Sequence, residues 1–572
     1  MLKAFDNKVR ENGDALVRFA ALIMRHPFIA AAVVCLLSLA VTTEEVGGLC
    51  FIIPALLFGF CCMTGISYAA RDAEVRDVIT GRVLALVLTV MFCGLMSRGE
   101  SPRLVLLFYG LGLAVFAFVY LFASGHLDGR KAAMLFIISG FLMRLVYIMS
   151  FTINKMQHDV GSIEKMKGHV GYIAYFLENR HLPDFDPTKV YQFYHPPLHH
   201  IISAVWVRLQ TFIGISSESA FENVQILTLF YSVCCMVICY KLFRKLGLDG
   251  KGLACAVAVI SFCPIFFILG GSINNDILSL TLLLAAFLNT LCWFEKRSFF
   301  RLMCIAVCVG CSMMTKLSGW MAAPAIAFIF IFVFFSERGK KLIRAGQYVV
   351  FLAVCAPLGL WWEIRNNIEF DVPITYVLKL SKKSDQYIGD IPVMERLFDF
   401  SFFQFENAGE QFKRFYADYN EYNPLIGLFK SSDFDELFTV RFFPAVEGFD
   451  KLLLWTTIIL GIVSFAAMIY VFIADRELSW VYKIFMGIIY ITFIVSYYAF
   501  CIGFPHVCTQ NIRYAVSLIV VGAFFFGRMV QLLEKKSRLP FKVASFGMCV
   551  IPAAYCAASA VFYGIVFYNV NV

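Results

Sequence analysis

The sequence predicts an all-α polytopic membrane protein: about fifteen transmembrane helices, outer-face juxtamembrane helices and one large outer loop domain. Three observations carry that reading. Of the 572 residues, 60% are hydrophobic and only 16% are charged, and apolar runs of about 18–25 residues recur, each able to cross roughly 30 Å of hydrocarbon. Basic residues collect in the connections, where they set membrane orientation. One polar segment, 364–450, is far longer than an ordinary connection. The net charge of +9 is therefore read as topology and not as nucleic-acid binding. Most of the cysteines lie inside apolar runs, as Cys61, Cys62, Cys234, Cys235, Cys304 and Cys308 do, and read as small buried hydrophobes.

The N-terminal stretch "MLKAFDNKVRENGDALVRFAALIMRHPF" is polar and basic for too long to read as a cleavable signal peptide. Its Lys3, Lys8, Arg10, Arg18 and Arg25 place this end inside. Spans near 27–43, 47–69, 82–97 and 104–123 then alternate and form an additional N-terminal module, 1–128. A span at 131–153 delivers "NKMQHDVGSIEKMK" to the outer face and opens a catalytic module, 129–363, whose first outer loop is 154–221.

Within that loop, "HPPLHHIISAVWVRL" raises the question of whether 198–214 crosses the membrane. Crossing would put "KLFRKLGLDGK", "EKRSFFR", "SERGKKLIR" and "LEKKSRLPFK" all outside; not crossing puts all four inside. The segment is thus expected to be a juxtamembrane helix, begun by Pro196 and Pro197 and with Trp206 at headgroup level. Spans follow at 222–240, 252–269, 276–294, 299–315, 318–336 and 345–362, then the aromatic-rich outer cap segment 364–450. The C-terminal helices of 451–572 are expected at 451–473, 482–500, 512–532 and 543–567.

This topology sorts the unusual polar residues to one face: His158, Asp159, His195, "GGSINNDIL", "TKLSGW", "WWEIRNN" and "PHVCTQNIRY". Each has a plain explanation. Asp159 is a loop carboxylate, Asn274, Asn275 and Asp276 suit a helix cap, Lys316 can snorkel, and Arg365 and Arg513 can anchor headgroups. Against these stands their convergence from separate segments on one boundary. An acid beside several cations suits sugar transfer from a lipid phosphate. A cation holds the phosphate leaving group, and a carboxylate takes the proton of the attacking hydroxyl.

In order, "HD", "YHPPLHH", "NND", "TKLSG", "WWEIRN" and "CTQNIRY" resemble the protein O-mannosyltransferase-like branch of the C superfamily of glycosyltransferases. That branch includes the lipid A aminoarabinose transferases. The resemblance covers about 131–534 and leaves 1–128 outside it. It implies a membrane enzyme that uses a polyprenyl-phosphate sugar donor, inverts the anomeric centre and acts on a lipid, glycan or protein hydroxyl. It implies the extracytoplasmic face of a bacterial inner or plasma membrane, with no nucleic-acid partner. The catalytic acid falls on Asp159 and a second acid on Asp276. The donor-phosphate or substrate residues fall on Lys316, Arg365, Arg513, Tyr514, His158, Tyr194 and His195. Tyr194 and His195 stand where the aminoarabinose transferases carry a Glu-Lys pair, so no cofactor is certain and a divalent metal ion is left open. Two other readings are carried: a transporter or flippase of lipid-linked saccharides, and an O-antigen ligase or polymerase.

Overall fold

A computed structural model describes Ala15 and residues 26–43, 82–83, 86–91, 102–401, 408–409, 421–434, 436–438 and 440–570. Its helices are α1 (Pro27–Thr42), α2 (Pro102–Ala123), α3 (Gly129–Ser150), α4 (Gly168–Asn179), α5 (Leu198–Phe212), α6 (Ser217–Glu222) and α7 (Val224–Lys245). There follow α8 (Gly250–Phe262), α9 (Pro264–Gly271), α10 (Asp276–Lys296), α11 (Phe299–Thr315), α12 (Ala323–Ser336) and α13 (Lys341–Phe370). The remainder are α14 (Val393–Phe398), α15 (Pro424–Asp433), α16 (Phe449–Ala474), α17 (Trp480–Gly503), α18 (Ser517–Glu534) and α19 (Leu539–Asn569). Among the described residues, ten helices are long and apolar enough to span a membrane, or eleven if the bent pair α8–α9 is one span. The chain is an integral membrane protein.

The expected count of about fifteen is not tested by this, because it includes spans outside the described residues. Of the expected spans, 47–69 lies outside the described residues and 82–97 mostly so, as do the five N-terminal basic residues and most of the aromatic run 402–420. Pro27–Leu39 and Phe299–Thr315 are apolar but short. The expected span at 512–532 begins as a tight turn, Ile512–Tyr514, with α18 starting only at Ser517.

The centre of the bundle is α8, packed between α3 and α18. Small residues let backbones meet there: a Cβ on Gly252 would strike the Gly527 carbonyl, and one on Gly527 would strike that of Gly252. At the end of α8, Pro264 has no N–H to donate, which leaves the Ile260 carbonyl without its helical partner. Arg144 of α3, fully buried, fills the gap. Its guanidinium donates to the carbonyls of Ile260 (3.3 Å), Ser261 (2.8 Å) and Gly140 (2.8 Å), and Nε donates to Ser232 Oγ (2.8 Å). A cation at a helix C-terminus is favourable electrostatically, so this intramembrane charge is a structural clamp across the 43° bend between α8 and α9.

The connection from α3 to α7 starts and ends at the same place. Gln225 Nε2 donates to the Phe151 carbonyl at 2.8 Å, and the Ile153 N–H donates to Glu222 at 3.0 Å. Between these points α5 has 15 residues, about 22 Å of helix, short of a bilayer core. The Trp206 indole N–H donates to the Asn223 carbonyl at 2.8 Å, so the ring is fixed to the α6–α7 junction. Following the helices from there, the connections after α7, α10, α12 and α18 fall at the opposite end. These are the four basic ones.

Candidate active site

Asp159 lies on a tight hairpin between α3 and α4. The hairpin closes through reciprocal bonds of Ser162 and Lys167 (2.8 and 3.0 Å), and the His169 N–H donates to the Asp159 carbonyl at 3.1 Å. Gly161 (φ +83°) and Gly168 (φ +75°) adopt left-handed conformations where their backbones cross too closely for any Cβ. Asp159 is itself left-handed, φ +63°, a strained state for a residue with a side chain. On the other side, Gln157 bridges the Gly271 carbonyl (2.8 Å) and the Ile273 N–H (3.1 Å), and His158 Nε2 meets Asn274 Nδ2 at 2.9 Å. Asp159 is therefore fixed by this cross-bracing. No helix end holds it, because α3 stops at Ser150.

The "NND" and "TK" motifs meet because α10 and α11 form an antiparallel pair. Ser279 and Ser312 bond to each other at 3.0 Å, and Asn275 Nδ2 donates to the Thr315 carbonyl at 2.7 Å. Lys316, the first residue past α11, thereby reaches Asp276 at the start of α10 and forms an ion pair with it. From the C-terminal part comes the turn Ile512–Tyr514. Ser431 of α15 accepts the Ile512 N–H at 2.7 Å and Asn511 accepts the Arg513 N–H at 2.9 Å. Arg513 Nη1 then pairs with Asp159 Oδ2 at 3.1 Å, Nη2 donates to the Tyr514 hydroxyl at 3.0 Å, and Tyr191 donates its hydroxyl to Asp159 Oδ1. Lys316 Nζ lies 4.9 Å from the centre of the Tyr514 ring, so Tyr514 joins the two ion pairs.

Burial alone would push the Asp159 carboxyl upward. The Arg513 guanidinium, His158, His169 and the Tyr191 hydrogen bond outweigh it and hold the group well below the usual carboxylate range. Burial lowers His195 to about 3, reinforced by Lys316, against the pull of Asp276 and Asp159. Burial likewise takes His199 to about 4 and His200 well below the usual value. His169 and His200 share a proton-capable contact of 2.9 Å, and His195 stacks on His169 at 5.9 Å. Arg513 Nε is buried without an acceptor among the described residues, a donor still open to an incoming anion.

Of the expected site residues, Asp159, Asp276, Lys316, Arg513, Tyr514, His158 and His195 come together, with the Tyr194 ring on His195 at 4.6 Å. Arg365 stands apart. It donates to the Pro183 carbonyl at 2.6 Å, pairs with Glu369 at 2.7 Å and stacks over Trp362. Sequence reasoning missed Tyr191, Gln157 and Ser431. Only the fold-back of the hairpin brings Tyr191 to Asp159, and no spacing signals it. The open question of a divalent metal meets a donor set that does not fit: both carboxylates are engaged by cations, and among the described residues no three His, Cys, Asp or Glu side chains are grouped to hold an ion.

A comparison with curated protein sequences returns no match. Among solved structures the chain is similar to the Archaeoglobus fulgidus oligosaccharyltransferase in its apo form, with 14% identity and a TM-score of 0.45, over 76% of this chain and 56% of that one. It thus spans little more than half the length of that protein. It is similar also to ArnT from Cupriavidus metallidurans in the apo state, with 13% identity and a TM-score of 0.41, over 76% of each chain. Residues 195–361 match the family model described as dolichyl-phosphate-mannose-protein mannosyltransferase. That matched segment, less than half of the chain, starts at His195 and contains Asp276 and Lys316.

Proposed function

We propose that this protein transfers a sugar from a polyprenyl-phosphate donor to an acceptor hydroxyl on the extracytoplasmic face, with inversion. The observation that carries the proposal is the paired cluster, Asp159 with Arg513 and Asp276 with Lys316, assembled from four separate segments and joined by Tyr514. In this arrangement Asp159 is ionised but weakly basic, because Arg513 stabilises its charge. A donor phosphate competes for the same guanidinium and for its open Nε. As Arg513 turns to the phosphate, Asp159 loses its counter-charge and gains basicity where burial favours the protonated form. Donor binding thereby activates the base, and the acceptor hydroxyl loses its proton to Asp159 as the C1–O bond to phosphate breaks. Lys316 and Arg513 stabilise the charge that develops on the leaving phosphate.

The outer-face assignment is supported by the four basic connections at the opposite end of the bundle. The test is incubation of purified protein with polyprenyl-phosphate hexoses and pentoses together with lipid and glycan acceptors. Release of polyprenyl phosphate matched by glycosylated acceptor is expected. Transport of the intact donor across vesicles without release would overturn the proposal.

A further inference from the structure

Away from the acid cluster, α4 and α5 enclose a groove of about 440 Å³. Its nine lining residues divide into two chemistries: six are apolar, Leu177, Ile201 and Val205 among them, and three are basic, Arg180, His181 and Arg208. No carboxylate lines it. Arg180 and Arg208 are both exposed, and neither guanidinium has a hydrogen-bond or ion-pair partner among the described residues. Arg180 occupies the left-handed position after α4, φ 58°. Glycine or asparagine is the usual occupant of such a cap, so an arginine there keeps a charge at a place the backbone disfavours. His181 is turned into the same rim by contact of its Nδ1 with the Leu182 carbonyl, 2.7 Å.

We propose that this groove seats an acidic phospholipid, its phosphate on Arg180 and Arg208 and its proximal acyl chain on the apolar floor. A bidentate guanidinium matches a phosphate diester, and the apolar floor gives the chain a reason to bind that a free anion lacks. The site is separate from the donor-phosphate position at Arg513 and Lys316. It rests on the reading that α5 lies in the outer interface, because only there does a lipid headgroup reach it.

Titration of the full chain in detergent with phosphatidylglycerol, read by native mass spectrometry, tests this, with phosphatidylcholine and inorganic phosphate as parallel arms. One phosphatidylglycerol should bind at least about tenfold more tightly than phosphatidylcholine. R180Q/R208Q should lose about a hundredfold, about tenfold for each charge-assisted contact removed. V205W, which leaves both charges and closes the floor, should also lose the bound lipid and covers the case in which the double variant does not fold. Equal binding of phosphatidylcholine, retention of phosphatidylglycerol by V205W and R180Q/R208Q, or inorganic phosphate binding as tightly as the lipid would each overturn the proposal. Absence of sugar transfer with this lipid binding intact would count against the glycosyltransferase reading alone.

Discussion

Asp159 keeps its charge because Arg513 lies 3.1 Å away, and that pairing governs what acid should do to the protein. A carboxyl whose folded value is depressed contributes stability that is fully present above its unfolded value of about 3.9 and is lost as pH falls through the folded value. Wild-type protein should therefore lose this contribution only in strong acid. In Arg513→Gln, burial is opposed by far less, the carboxyl rises, and residual transfer should show an acidic limb at higher pH than in wild type. A pH–rate profile of the two proteins checks this; superimposable acidic limbs would contradict the pairing. Arg513→Gln should also reduce transfer about ten- to a hundredfold, the value of one charge-assisted phosphate contact. Lys316→Ala leaves Asp276, only 6% exposed, as an uncompensated buried charge, which typically costs about 3–5 kcal/mol. Adding Asp276→Asn should recover much of the thermal stability and none of the transfer. Thermal melting and turnover measured on the same preparations separate the two roles.

Two elements hold the cluster without touching a substrate. α15 fixes the Arg513 turn through a single bond from the Ile512 N–H to Ser431 Oγ. Ser431→Ala leaves that buried donor unmade, at a cost of about 1–3 kcal/mol. It should lower kcat more than it raises KM, with Ser431→Thr restoring both; an unchanged kcat in the alanine variant would remove α15 from the account. The clamp of Arg144 on the α8 break works in the same way for the bundle as a whole. Legibility differs between these elements. The α10–α11 pair was readable because its polar residues end two apolar runs, so "NND" and "TK" had to lie at one boundary. Ser431 was not readable, since one hydroxyl in a polar cap segment carries no periodic signal. Gln157 and Tyr191 were hidden for the same reason, as a hairpin braced by side-chain bonds to distant carbonyls leaves no pattern in the chain.

For the molecule as a whole, hydropathy located the described helices well because burial in lipid demands long apolar runs. Short helices such as Phe299–Thr315 and the broken pair α8–α9 have the composition of a span without its length. Basic connections gave the expected orientation, and the four that follow α7, α10, α12 and α18 fall at the end of the bundle opposite the acid cluster. Phe212, 88% exposed at the end of α5, offers a direct probe of that arrangement. In a variant cleared of reactive cysteines, Phe212→Cys should react with an impermeant reagent added outside and Lys340→Cys only after permeabilisation; the reverse pattern would turn the site inward. The central claim, that a carboxylate fixed by the hairpin removes the acceptor proton, rests on one residue and is tested most directly by donor binding and single-turnover transfer in Asp159→Asn. With folding and donor affinity unchanged, transfer should fall about a hundred- to ten-thousandfold, the usual worth of a general base. Turnover near that of wild type, measured on folded protein with donor bound, would contradict it.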